Sequence, residues 1–228
     1  MISLLDFLFP KRCLSCRKFL KEDGLLCSHC EEQWPSLKAP YCRQCVRPFS
    51  SDETSSHLCF DCLKQEKACC QVQAAGLYQG ILLEMMIRLK YKGEERIASY
   101  LGERMSKCLG SGDLILPIPL HKKRLRQRGY NQSLLMAKNV SQRSGIPFNP
   151  FLLYKKIETP PQAELKGEER RKNLKGVFDL RHPEKIKDKK ILLVDDVYTT
   201  GATIETAAKL LLQAGALSVQ ALVGARAV

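Results

Sequence analysis

Beyond residue 72 the chain alternates short apolar runs with longer segments in which apolar residues recur every three or four positions. "ILLEMMIRLKY" (81–91) sets Ile81, Met85 and Leu89 on one side of a predicted helix. "EERIASYLGERM" (94–105) predicts a second helix. "LILPIPL" (114–120) reads as a buried strand running into a loop punctuated by proline. A helix is expected to start at an Asn131 cap and to end near Gly145. "FLLY" (151–154) is a short strand, and the charged, two-proline stretch 155–176 is expected to be a mobile loop. "KILLVDD" (190–196) is a strand. "TIETAAKLLLQAG" is a helix with Ile204, Ala207, Ala208 and Leu211 on one face and Gly215 closing it, and "SVQALVGA" is the last strand. Apolar strands alternating with helices predict an α/β layer built on a mostly parallel sheet.

The first 66 residues have a different texture, with few regular runs. Two units are therefore expected, 1–66 and 67–228, joined by a connector at 63–72. The start, "MISLLDFLFPKRC", is apolar but carries Asp6 and lacks a basic leader and a small-residue cleavage site. It is expected to form a short helix or strand on the first unit. The longest apolar runs are far too short to span a bilayer, so the chain is not expected to be an integral membrane protein, and a cytoplasmic location is expected for it. Association with the inner face of the membrane stays open.

Charge sharpens the division. The 228-residue chain has a net charge of +13, yet residues 1–66 hold nine Lys/Arg and nine Asp/Glu, so the excess lies beyond them. A basic domain suits a polyanion or a phosphorylated ligand, and equally a solvated surface. Apolar content is ordinary for a globular chain, which excludes extensive disorder.

Eight of the eleven cysteines form four Cys-x-x-Cys pairs: Cys13/Cys16, Cys27/Cys30, Cys42/Cys45 and Cys59/Cys62. Each such turn offers two thiolates to one tetrahedral ion, and two turns complete the shell, so two structural Zn2+ ions are expected. The spacing leaves two pairings open, between neighbouring pairs or cross-braced. His29 and His57 lie near the ligands and are surplus to a complete thiolate set. No role is assigned to Cys69, Cys70 or Cys108.

The chemistry concentrates in "ILLVDDVYTTGAT" (191–203). A strand, a tight loop and a helix present backbone N–H groups at a helix N-terminus, where phosphate binds well. Thr199, Thr200 and Thr203 add hydroxyls, and Gly201 permits a close approach or a positive φ. The loop lacks the Lys-Ser/Thr of a Walker A motif and the glycines of a dinucleotide fingerprint. Two adjacent carboxylates would repel the phosphate, but a vicinal diol fits them, so Asp195 and Asp196 with this loop imply a ribose 5-phosphate. Strand-end acids that cap a helix or bind a cation are the plainer alternative.

This stretch closely resembles the signature of type I phosphoribosyltransferases, whose ligand is 5-phosphoribosyl 1-diphosphate (PRPP) with Mg2+. The resemblance implies that Asp195 and Asp196 are the catalytic residues, holding and orienting the ribose hydroxyls, with either able to help as a base. It also implies that Asp195, Asp196, Val197, Tyr198, Thr199, Thr200, Gly201, Ala202 and Thr203 form the PRPP site. Ala202 stands where a second glycine is common. "HKKRLRQR" (121–128) corresponds to the loop facing pyrophosphate, which implies that role for Lys123, Arg124, Arg126 and Arg128. An exposed loop gripping DNA phosphates is the alternative for the same residues.

A narrower resemblance covers nearly the whole chain. "LPIPLHKKRLRQRGYNQS" (116–133) and "TPPQAELKGEERRKNLKGVF" (159–178) look like hallmarks of ComF-type competence proteins, the ComFC group. That family joins a cysteine-rich zinc module to a phosphoribosyltransferase-like domain. The resemblance implies a role in natural transformation, handling internalised single-stranded DNA, with PRPP, single-stranded DNA and competence motor or uptake-channel proteins as partners. It also implies a flexible loop carrying Gln162, Arg170, Arg171 and Asn173. A salvage phosphoribosyltransferase, with a nucleobase acceptor, and a DNA binder with a non-catalytic sugar-phosphate site are the competing readings.

Overall fold

The computed structural model describes residues 11–20, 24–50, 54–64, 67–157 and 176–228. Two short helices, α1 (Ser28–Glu32) and α2 (Phe60–Lys64), lie in the cysteine-rich part. They are followed by β1 (Gln71–Ala74), α3 (Gly80–Tyr91), α4 (Arg96–Ser106), β2 (Leu114–Pro117), α5 (Lys122–Arg128), α6 (Gln132–Ser144), β3 (Leu153–Lys155), β4 (Phe178–Leu180), β5 (Lys190–Tyr198), α7 (Ala202–Gln213) and β6 (Ser218–Arg226). The main sheet runs β1-β6-β5-β2, every pairing parallel. β3 and β4 form a separate antiparallel hairpin. "FLLY" thus supplies a strand outside the main sheet.

β5 and β6 fill the middle of the sheet, and their sequences show it. Ile191 to Val194 and Ala221 to Ala225 are buried without interruption, as strands covered on both faces must be. Leu82, Met85, Met86 and Leu89 of α3 cover one face, together with Ile97, Leu101 and Met105 of α4 and Met136, Ala137 and Val140 of α6. On the other face the apolar stripe of α7, Ile204, Ala207, Ala208 and Leu211, packs against Leu193, Val219 and Val223. The expected α6 boundaries hold: the Asn131 side chain accepts from the Ser133 N–H at 3.0 Å, and Gly145 ends the helix at φ +73°.

The structure revises one local expectation. Residues 121–128 form a helix, α5, rather than a loop. Its lysines, arginines, leucine and glutamine are all good helix formers, the His121 ring accepts from the Lys123 N–H, and Gly129 closes the helix at φ +81°. Within the expected connector at 63–72, α2 reaches Lys64 and β1 starts at Gln71. β1 is four residues long with only two buried, too short for its alternation to stand out.

The two cysteine units sit on opposite faces of the sheet. Leu14 and Trp34, from the first, join the core beneath α3 and α4; Cys42, Cys45, Val46, Cys59 and Cys62, from the second, join the core beneath α7. Between them the chain follows the β1 edge. Val72 N–H donates to Gln44 O at 2.7 Å and Leu77 N–H to Pro35 O at 2.7 Å, which occupies part of an otherwise open strand edge. The Trp34 indole donates to Ala75 O, and Glu31 accepts from Tyr100 and Arg104 of α4.

Candidate functional site

The eight thiols resolve into two groups, Cys13/Cys16/Cys27/Cys30 and Cys42/Cys45/Cys59/Cys62, the Sγ atoms of each lying within 4.8 Å of one another. Neighbouring pairs therefore share a site, and the cross-braced alternative is excluded. Tetrahedral zinc with Zn–S bonds of about 2.3 Å requires sulfur–sulfur edges of about 3.8 Å. Cys16–Cys27, Cys42–Cys62 and Cys45–Cys59 stand at 3.7, 3.6 and 3.7 Å. Backbone N–H groups of Cys45 and Cys59 point at the Cys42 sulfur, at 3.5 and 3.3 Å. Burial works against a Cys42 thiolate, but these donors outweigh it and bring the thiol down to about 6. Both sites fit zinc. His29 bonds Gln33 and His57 stacks on Phe49; neither belongs to a thiol group.

The Lys67 ammonium donates to the Cys62 sulfur at 3.2 Å, a contact that no motif announces. The next two backbone N–H groups, of Ala68 and Cys69, donate to the Glu205 carboxylate in the first turn of α7. The second thiol site is thus tied through three consecutive residues to the helix that follows the threonine loop.

Asp195 and Asp196 lie half-buried at the C-terminal end of β5, where ligands of parallel α/β sheets bind. Asp195 Oδ1 accepts from the Ser133 hydroxyl at 3.0 Å and from the Asp196 N–H at 2.9 Å. Asp196 Oδ1 accepts from the Val197 N–H at 2.6 Å, and its Oδ2 pairs with Lys90 Nζ at 2.8 Å. A carboxylate has about four acceptor positions, so both acids keep capacity for hydroxyl donors. Burial, then the neighbouring Asp196 charge, pushes the Asp195 carboxyl up to about 7.

The loop turns at Gly201, whose φ of +80° is left-handed. A side chain there would also collide with the Tyr198 ring, which lies directly beneath. Tyr198 is buried, and among the described residues its hydroxyl has no hydrogen-bond partner. Thr199 and Thr200 are exposed, Ala202 and Thr203 begin α7, and the Glu205 N–H bonds Gly201 O. A cleft of about 280 Å3 lies between this loop and the second thiol unit, lined by Arg47, Lys67, Thr199, Thr200, Thr206 and Lys209 among others. The buried Arg226 braces its floor. Its Nε donates to Cys45 O, and its Nη1 donates to the carbonyls of Tyr198 and Thr199.

Lys123 and Arg126 on α5 are exposed, Arg124 and Arg128 partly so, and no residue of α5 is buried. The Arg128 guanidinium lies over the Tyr91 ring and bonds Gln132. Gln162, Arg170, Arg171 and Asn173 fall outside the described residues. Sequence reasoning missed Lys90, Ser133, Glu205 and Arg226. Only Arg226, a charge in an apolar strand, leaves a signal in the sequence.

A double zinc ribbon domain family matches residues 4–63, and a phosphoribosyl transferase domain family matches residues 131–226. Competence protein F of Haemophilus influenzae is 33% identical over 224 residues, covering 93% of this chain and 95% of its own. The chain belongs to the ComF family. Among other relatives, DNA utilization protein YhgH of Escherichia coli K12 is 31% identical, covering 92% of this chain and 95% of its own. Competence protein ComFC of Bacillus subtilis is 28% identical, covering 86% and 81%. In this ComF protein the match to the phosphoribosyl transferase family begins at the Asn131 cap and ends at Arg226, so it contains Ser133 and the acid pair but not α5 or Lys90. Among the described residues no helix is long and apolar enough to cross a membrane.

Proposed function

We propose that this ComF protein binds PRPP, with Mg2+ on the diphosphate, and acts in handling internalised single-stranded DNA during transformation. The observation that carries the proposal is the arrangement at the end of β5: two adjacent carboxylates with spare acceptor capacity beside a loop that opens the twelve-residue helix α7. The carboxylates suit the ribose 2′- and 3′-hydroxyls. The N–H groups from Thr200 to Thr203 suit the 5′-phosphate. Mg2+ would supply charge neutralisation on the diphosphate. The basic residues of α5, which follow β2 on the same rim of the sheet, suit its remaining oxygens.

The names of the relatives, a competence protein and a DNA utilization protein, support the cellular role. The surface of α5 supports contact with nucleic-acid phosphates: five cations without an acid, none of them buried. Binding is what is proposed, and no acceptor pocket enters it. Calorimetric titration of the zinc-loaded protein with Mg-PRPP tests the ligand, expected to saturate at one per chain. Titration with single-stranded DNA at several salt concentrations tests the role. Affinity should fall with log[salt] at a slope of about −0.7 per phosphate contacted. Absence of any binding to either ligand would contradict the proposal.

A further inference from the structure

We propose that Lys90 is a working member of the acid-pair site: a built-in counter-ion that offsets the paired carboxylate charge and fixes Asp196 beside Asp195 to receive a sugar diol. For its ligand this inference rests on the PRPP reading above; for the residue it rests on geometry.

Lys90 occupies the last turn of α3, and its side chain is only 17% exposed, unlike the exposed Lys92 two residues on. Its stem crosses to β5 and places Nζ 2.8 Å from Asp196 Oδ2. The turn that carries it is held in place. The Tyr130 hydroxyl donates to Leu89 O, and Arg128 stacks over Tyr91. Lys90 therefore stands between the acid pair and the C-terminal end of the basic segment 121–128, where a diphosphate attached to a bound ribose would approach. A half-buried lysine has a large desolvation cost, which this ion pair offsets.

Among the described residues, the groups that act most on the site are these. Asp196, Tyr78 and Asp195 act on Lys90; Asp196, the Ser133 hydroxyl and Lys90 act on Asp195. Burial alone would lower the ammonium pKa. Asp196 outweighs burial and raises it, so Lys90 stays charged throughout the neutral range. Burial and Asp196 push Asp195 up, while Ser133 and Lys90 pull it down. Without Lys90, two carboxylates joined by one backbone bond would share the pocket with no paired cation among the described residues. The Asp195 carboxyl would then hold its proton to higher pH, and the charge-assisted bond to a ribose hydroxyl would weaken in the neutral range. Serving the pair, Lys90 is a positioning residue rather than a catalytic one.

The test uses the zinc-loaded full chain with carbon-13 label on the aspartate carboxyls. In the ligand-free wild type, Asp195 titrates with a midpoint near 7. Lys90→Met moves that midpoint up by about one unit or more, and Lys90→Arg, which keeps the charge, leaves it near the wild-type value. In parallel, Mg-PRPP affinity at pH 7 falls about tenfold in Lys90→Met and recovers near pH 9, once the acid pair is ionised again. Lys90→Gln, neutral but still a hydrogen-bond donor, repeats the test if the methionine variant does not fold. An unmoved midpoint in the neutral variants, or an affinity loss equal at all pH values, overturns the proposal. If the wild type binds no Mg-PRPP, the ligand reading falls, while the carboxyl titration still decides whether Lys90 is the counter-ion.

Discussion

Arg226, the last residue of β6, donates from Nε to the backbone carbonyl of Cys45, a ligand-spaced thiol of the second zinc ribbon, at 2.9 Å. The same guanidinium holds the carbonyls of Tyr198 and Thr199 and lies over the Tyr198 ring. One buried cation thus joins the metal ribbon to the loop that follows the acid pair. Arg226→Met removes a charged donor and leaves buried carbonyls unsatisfied, so a loss on the order of 3 kcal/mol is expected. Arg226→Lys recovers little, because an ammonium cannot reproduce the planar fork. Denaturant unfolding of both variants checks this; wild-type stability in either contradicts it.

The ribbons are predicted to differ in what they support. The first thiol group includes the exposed Cys16, whereas all four thiols of the second are buried in the core beneath α7. Elemental analysis should find two zincs per chain, and one in either Cys16→Ser or Cys45→Ser. Thermal melts should show the larger loss for Cys45→Ser. Equal losses would mean that the contacts of Arg226 and Lys67 do not couple the second ribbon to α7.

Tyr198→Phe is expected to raise stability slightly, by up to about 1 kcal/mol, because the deleted hydroxyl is buried without a partner among the described residues. Gly201→Ala should cost about 1–3 kcal/mol, through both its positive φ and the collision with Tyr198. Unfolding curves for the two single variants decide it. A destabilised phenylalanine variant would mean that the hydroxyl has a partner.

Acidity gives a prediction of definite sign. Asp195 binds its proton more tightly in the folded chain, with a carboxyl near 7, than unfolded, where the usual value is 3.8. Between these values the folded state holds more protons, so this group's contribution to stability falls as pH rises from about 4 to 7. Asp195→Asn keeps an acceptor for Ser133 and the Asp196 N–H and removes the ionisation cost. It should therefore stabilise the ligand-free protein by on the order of 2 kcal/mol at pH 8 and by little at pH 4. Melting curves at the two pH values check the sign; destabilisation at pH 8 contradicts it.

Much of this was legible in the chain. The apolar runs at 191–194 and 219–223, the α7 stripe and the Asn131 cap carry strong local signals, and the structure follows them. The four Cys-x-x-Cys pairs announced two metal sites, though only coordinates could choose the pairing. What stayed hidden is long-range. Lys90 is separated from Asp196 by 106 positions, and Arg226 from Cys45 by 181. Lys90 looks locally like one more basic residue on a basic chain, and Arg226 stands out only as a charge ending an apolar strand, with nothing to name its partner. β1 was hidden for another reason: four residues give too little periodicity, and the ribbon and β6 fix it from outside. Likewise α5, without buried residues, has no apolar stripe to reveal it.

The central claim is that the adjacent carboxylates of β5 hold a ribose whose phosphate lies on the loop after them. Calorimetric titration with Mg-PRPP tests it most directly, comparing the wild type with Asp195→Asn and Asp196→Asn. Saturable binding in the wild type, weakened about tenfold or more in each variant, is the predicted result. Equal binding by all three proteins, or none by a folded wild type carrying two zincs, would contradict it.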